Sequence, residues 1–233
     1  GMRVGVEFAE LFEDRQLSND CKAAEKKLVK AASKVYKKFL ASCPAPDAPG
    51  SKQVTALMTI TGLIDAPKAD KEFLSINGAQ GFSTFYGYYM LEAMAMAGNY
   101  QGALDVIREY WGAMIDLGAT SFWEDFDINW IPNAAPIDEL VPEGKKDIHG
   151  DCGAYCYVGF RHSLCHGWAS GPTSWLSRHI LGVEVIEPGC RQVRITPHLG
   201  DLQWVKGTFP TPYGELQIYH EKQANGLSLI HIS

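Results

Sequence analysis

No run in the 233 residues approaches the roughly 20 apolar positions that a membrane-crossing helix needs, so no transmembrane anchor is expected. The start lacks the charged, apolar, small-residue order of a secretory signal, and Gly1-Met2 reads as a tag scar or a cut frame. Cysteine is sparse. Six residues (Cys21, Cys43, Cys152, Cys156, Cys165, Cys190) are too few to staple a chain of this length, and mostly free thiols are expected. Positive charge is in deficit, with 21 Lys and Arg against 27 Asp and Glu, which argues against nucleic acid or an anionic membrane as the main partner. Neither a phosphate-cradling loop nor a glycine-rich dinucleotide fingerprint occurs, and no cofactor is expected. What remains is 46% hydrophobic and 21% charged, the balance of a soluble chain with a substantial core, forming one large domain or two small ones.

The first two-thirds carries helical periodicity. Asp20 reads as an N-cap, followed by Ala24, Leu28, Ala31, Val35 and Phe39 on one face. Lys22, Lys26, Lys27, Lys30, Lys34, Lys37 and Lys38 cover the other, a solvated face rather than a nucleic-acid patch. Pro44 to Gly50 is a connection. A second helix is predicted through Val54, Leu57 and Met58 to near Gly62, and a third opens at Gly78 to Ser83 and runs through Phe85 to Met94. Asn99 caps a fourth, striped by Leu104, Ile107, Trp111 and Met114 and closed by Gly118. After the Pro-rich loop Ile131 to Pro142, helix is predicted again through Tyr155 to Trp168, and from Pro172 to Gly182.

Beyond Gly182 the period falls to two. Val193 and Ile195, Leu202 and Trp204, and Leu216 and Ile218 alternate with polar neighbours between glycine and proline turns. The organisation is therefore mainly α with a β tail: residues 1–182 helical, 183–226 an antiparallel β module. Three or four short strands barely hold together alone, so the module should pack on the helices or be incomplete. The closing LSLIHIS, residues 227–233, breaks the strand pattern after Asn225-Gly226 and reads as a non-native, adapter-derived tail.

Two segments could carry chemistry. Gly118 to Asp127, GATSFWEDFD, sets Glu124 beside Phe122 and Trp123, with Asp125 and Asp127 following. Rings beside a carboxylate suit a sugar-cleaving site, because the rings pack on the C–H face of a pyranose while the acid handles a proton or a water. The plainer alternative is a helix end with a buried Trp and a solvated Glu. The second segment, RHSLCHGWASGP from Arg161 to Pro172, places His162 and His166 four apart on a predicted helix face near Cys152, Cys156 and Cys165. That arrangement matches no standard zinc spacing, so no metal is expected. His166, ahead of Gly167 and Trp168, could instead bond a sugar hydroxyl while Gly167 and Gly171 let the backbone come close. Cys165 and His166 do not form a nucleophilic pair, since adjacent helical side chains point about 100° apart.

Taken in order, GATSFWE, SLCHGWASGPTSWLSRHILGV and PGCRQVRITPHLGDLQWVKGTFPTPYGELQI resemble the C-terminal part of the bacterial inverting α-L-rhamnosidases, of the six-hairpin glycosidase superfamily, over about Gly78 to His220. The resemblance implies a partial (α/α)6 toroid of helical hairpins followed by a truncated antiparallel β-sandwich. It implies Glu124 as the general base that activates water, and His166 in contact with the sugar. Trp123, Trp130 or Trp168 could then line the sugar's methyl side. The family's general acid lies upstream of anything in this chain, and Asp125 and Asp127 are too near Glu124 in sequence to reach across a ring. The implied substrate is a glycoside ending in α-L-rhamnose, with the remainder of the catalytic domain missing upstream and the isolated chain inactive. Half a toroid would also expose helix faces built for burial. Two other readings stay open: a non-catalytic carbohydrate-binding or structural module, and a six-hairpin glycosidase of another specificity.

Overall fold

A computed structural model describes residues 1–42, 45–46, 48, 50–147, 162–224 and 228–232, the last five and 146–147 by backbone alone. The chain divides into two compact units, Gly1–Ala48 and Pro49–Ser233. No helix among the described residues is long and apolar enough to cross a membrane.

The first unit is a hairpin of α1 (Met2–Leu11) and α2 (Arg15–Ser42). Arg3 pairs with Glu25 at 2.6 Å and Lys22 with Glu10 at 2.8 Å, which fixes the two helices antiparallel. The Asp14 carboxylate accepts the Leu17 N–H at 2.9 Å and starts α2 there, so Asp20 lies inside the helix rather than capping it. Along α2 the lysines are exposed as expected, but so are Leu28 and Val35.

In the second unit α3 (Ser51–Ile60) buries Ser51, Lys52, Thr55, Ala56 and Thr59 and leaves Leu57 exposed, the reverse of the apolar face read from the sequence. Lys52 explains the inversion: its ammonium donates to the Gly78 carbonyl at 2.6 Å and lies 5.1 Å from the centre of the Phe82 ring, so the buried charge is bonded. Asp65 caps a short α4 (Ala66–Ala69), which runs on as a π-turn over Asp70–Leu74. Turns occupy the stretch to Tyr86, so α5 is confined to Gly87–Met96, starting later than predicted. Then α6 (Tyr100–Asp116) follows its sequence signals. The Asn99 side-chain amide oxygen accepts the Gly102 N–H at 2.9 Å, and Gly118, at φ 90°, ends the helix with its N–H on the Ile115 carbonyl and that of Ala119 on the Met114 carbonyl. The core gathers around α5 and α6, with Met90, Leu91, Met94, Tyr110 and Trp111 buried. Gly87 is required where they meet, because a Cβ there would lie 2.7 Å from the Trp111 ring.

The Pro-rich loop holds β1 (Ala134–Ala135), paired in parallel with β2 (Lys146–Asp147). Most of the helix predicted over Tyr155 to Trp168 lies outside the described residues. Where described, 162–166 is not helical and Gly167–Ala169 is a single 3-10 turn, so His162 and His166 do not share a helix face. Last in the helical layer, α7 (Gly171–Trp175) extends as a π-turn over Leu176–Ile180. Its Trp175 donates from the indole to the Leu91 carbonyl at 3.0 Å.

The β tail has two antiparallel pieces: β3 (Val183–Val185) with β4 (Val193–Ile195), and a sheet of β5 (Trp204–Thr211), β6 (Gly214–Lys222) and β7 (Ser228–Ile232). The final segment does not break the strand pattern: β7 pairs with β6, Ile232 opposite Ile218. Leu181, Val183 and Ile218 form a small separate core under Ile195, Val205 and Phe209. The tail is fastened to α6. Arg108 makes a bidentate pair with Asp201 at 3.0 and 2.8 Å, Gln101 accepts the Asp201 N–H at 2.6 Å, and Tyr100 stacks on His198 with ring centres 3.7 Å apart. Helix-rich with small antiparallel sheets is thus the observed class.

Candidate active site

Two stretches that leave the helical layer run side by side. The Glu124 N–H donates to the Ser163 carbonyl and the His166 N–H to the Phe122 carbonyl, both at 2.8 Å, and the Ser121 hydroxyl donates to the Leu164 carbonyl. This pairing brings together two residues 42 positions apart in the sequence, Glu124 and His166, with His166 Nδ1 3.9 Å from Glu124 Oε2. The same carboxylate oxygen accepts the Ser163 N–H at 3.1 Å. Glu124 keeps 17% of its side chain exposed and His166 32%, enough for both to meet a ligand.

Glu124 is fixed through its main chain. Its carbonyl accepts the Thr84 hydroxyl at 2.6 Å and the Trp168 indole N–H at 2.7 Å. Trp168, nearly half exposed, packs its ring 4.4 Å from that of His166, so one side chain touches both candidate residues. On the other side His162 is buried, and its Nε2 accepts the Asp125 N–H at 3.0 Å. That bond requires an unprotonated Nε2. A partly exposed carboxylate held by a backbone donor, with an imidazole beside it and a ring below, can take a proton from a water while the imidazole orients a hydroxyl.

Trp123, expected at the sugar, lies in the core instead. It is fully buried, edge-on to Phe126 and His162, and its indole N–H has no partner among the described residues. Phe122 and Glu124 use their main-chain groups toward 163–166, while the Trp123 ring packs against Phe126 and His162. With Glu124 turned to the site, Trp123 goes into the core. Trp130 is half-buried, edge-on to Phe126 and His162. Of the residues expected at a sugar, the structure gathers Glu124, His166 and Trp168. Thr84, which bonds the Glu124 main-chain carbonyl, and Ser163, which acts through its own main-chain N–H, leave no side-chain pattern in the sequence. The cysteine part of the metal reading, Cys152 and Cys156, lies outside the described residues, while Cys165 is exposed.

Asp125 is not an acid poised at the site. Its Oδ1 accepts the N–H of Phe126 at 2.9 Å. Burial raises its pKa above the ordinary aspartate range, with Asp127 and Glu124 adding repulsion and the Phe126 bond and His162 opposing. An acid whose folded pKa is raised favours folding while protonated, and that contribution is lost as pH rises through the folded value. Asp125→Asn is therefore expected to melt above the wild type near about pH 7 and to lose that advantage near about pH 3, below the ordinary aspartate pKa. Melting curves at the two pH values check it. An advantage of the same size at both would remove the burial penalty as its cause.

Residues 182–230 match the family model described as the bacterial α-L-rhamnosidase C-terminal domain. The fold resembles the GH78-family rhamnosidase of Bacillus sp. GL1, with TM-score 0.58 and 26% identity over 78% of this chain and 17% of that one. It also resembles the α-L-rhamnosidase of Dictyoglumus thermophilum (0.64, 19%, covering 94% and 23%). A third likeness is to that of Aspergillus terreus (0.65, 18%, covering 97% and 25%). The last two identities are low enough to speak for the fold alone. The chain spans about a sixth to a quarter of the length of these enzymes. No curated protein matches it.

Proposed function

We propose, from a chain related to the C-terminal part of α-L-rhamnosidases, that it belongs to an inverting glycosidase removing terminal α-L-rhamnose. In this reading the helices up to residue 182 supply part of an (α/α)6 toroid, and 183–226 begin a β-sandwich. One observation carries it: the carboxylate of Glu124 and the imidazole of His166 meet beside the exposed ring of Trp168, on a fold like that of rhamnosidases.

Glu124 is the general base in this scheme. With one carboxylate oxygen on the Ser163 N–H, it removes a proton from a water that attacks the anomeric carbon on the face opposite the leaving group. His166 holds a sugar hydroxyl, and Trp168 faces the apolar side of the ring. Inversion needs a second carboxyl about 6.5–9.5 Å away to protonate the leaving oxygen. Asp125 is committed to its own backbone and Asp127 to Asn129, whose N–H it accepts at 2.9 Å, so neither serves as that acid, which the family resemblance puts upstream in the toroid. The isolated chain should not turn over.

The intact enzyme, given p-nitrophenyl α-L-rhamnopyranoside and followed by proton NMR, is expected to release the β-anomer of rhamnose first, while the 233-residue chain releases none. First appearance of the α-anomer would exclude the inverting scheme. Absence of any release by the intact enzyme would favour a binding module.

A further inference from the structure

Where the β tail meets the helical layer there is a cavity of about 320 Å³ that shares no lining residue with the candidate active site. Two short runs build it. Arg178 and His179 lie on the π-turn that extends α7, while Arg194 lies on β4, with Thr196 and His198 just beyond. The main chain ties the runs together: the Thr196 N–H donates to the Gly182 carbonyl at 2.8 Å, and the His198 N–H to the His179 carbonyl at 3.0 Å. Two guanidinium groups and two imidazoles therefore line one cavity.

Two carboxylates face these four groups. Glu92 lies 3.3 Å from Arg178 and 2.9 Å from His179, so a single carboxylate serves both. Glu184 pairs with Arg194 at 3.0 Å across β3 and β4, but both side chains are largely exposed, where an ion pair contributes little and exchanges readily. His198 has no acid of its own. The Tyr100 ring lies flat against it, ring centres 3.7 Å apart, and among the described residues neither imidazole nitrogen has a hydrogen-bond partner. Burial, and then the neighbouring His179, lowers the His198 pKa below the ordinary histidine value. An anion in the cavity opposes that shift, because a nearby opposite charge favours the protonated ring. With both rings protonated, four positive groups stand against two carboxylates.

We infer that this cavity is a proton-coupled site for a small oxyanion, held by Arg178, Arg194 and His198 at the joint between the helical layer and the β tail. A guanidinium presents forked donors that match the oxygens of a carboxylate, sulfate or phosphate, and the Thr196 hydroxyl adds one more. The volume lies at the small end of the usual range for ligand sites, about 300–1,000 Å³, as a compact ligand requires. That oxyanion is either a free inorganic ion or the acidic group of a saccharide.

Isothermal titration calorimetry of the chain with sodium sulfate, sodium D-glucuronate and neutral D-glucose, at constant ionic strength, tests it. Sulfate keeps its double charge throughout, so any pH dependence belongs to the protein. Sulfate is expected to bind about tenfold more tightly at about pH 5.5 than at about pH 8, on either side of the ordinary histidine pKa. His198→Gln should flatten that dependence, and Arg194→Gln, at an exposed position, should weaken binding about tenfold at both pH values. Circular dichroism confirms that each variant is folded. Binding of glucuronate but not glucose would assign the site to an acidic saccharide, and binding of sulfate alone to a free inorganic ion. No saturable binding of either anion, glucose binding as well as they do, sulfate binding that does not tighten on acidification, or affinities indifferent to both substitutions would overturn the inference.

Discussion

Gly182→Ala is expected to lower the melting temperature by about 4–20 °C. Gly182 sits at φ 82° between the last turn of α7 and β3, with its carbonyl accepting the Thr196 N–H at 2.8 Å. A Cβ there would lie 2.4 Å from the Thr196 carbonyl carbon and 2.5 Å from the Pro197 nitrogen. Both obstacles are backbone, so neither can swing aside. Alanine in the left-handed region costs about 1–2 kcal/mol, and an overpacked contact a further 1–3. At about 2–4 °C per kcal/mol for a chain of this size, the sum gives the stated range. Gly189→Ala isolates the conformational part, because Gly189 has φ 75° but open space where its Cβ would be. Calorimetry on both variants decides the matter. Equal losses would mean that the crowding at Thr196 contributes nothing.

The second large effect is chemical. Glu124→Gln in the intact enzyme should reduce kcat on an aryl α-L-rhamnoside by about 10²–10⁴, the usual contribution of a positioned base. Glutamine can still accept the Ser163 N–H, and the main-chain bonds from Thr84 and Trp168 do not depend on the side chain. The melting temperature should therefore stay within about 2 °C of the wild type, since surface-accessible changes away from core packing move stability by about 0.5 kcal/mol or less. A variant that melts normally and hydrolyses at the wild-type rate would remove Glu124 from the chemistry. His166→Ala serves as contrast, raising KM more than it lowers kcat if the ring only holds a hydroxyl.

Local signals were legible where the chain's own chemistry closes an element. Asn99, the stripe through Leu104 and Trp111, and Gly118 outlined α6 to within a residue, because cap, period and left-handed glycine all sit inside the helix they bound. The face of α3 was not legible. A lysine is expected in water, and its burial depends on distant partners such as the Gly78 carbonyl and the Phe82 ring, 26 and 30 positions away. The candidate site divides the same way. Glu124, His166 and Trp168 could be picked out as residue types with a use, and the structure brings them together. Trp123 shares the same short motif and goes the other way, into a core formed with Phe126 and His162 that the motif alone does not reveal.

The clasp of Arg108 on Asp201 and the stack of Tyr100 on His198 also bear on how such a chain can change over generations. The recognisable C-terminal family segment begins at residue 182, yet the compact unit that contains it begins at Pro49. The stretch that the family model matches is therefore not the stretch that folds as one. The β tail cannot drift, be exchanged or be lost without exposing one end of the helix that carries its partners, so substitutions on α6 at Tyr100, Gln101 and Arg108 are tied to those at His198 and Asp201. Two segments read as different parts of the sequence thus constrain each other's substitutions through one shared contact.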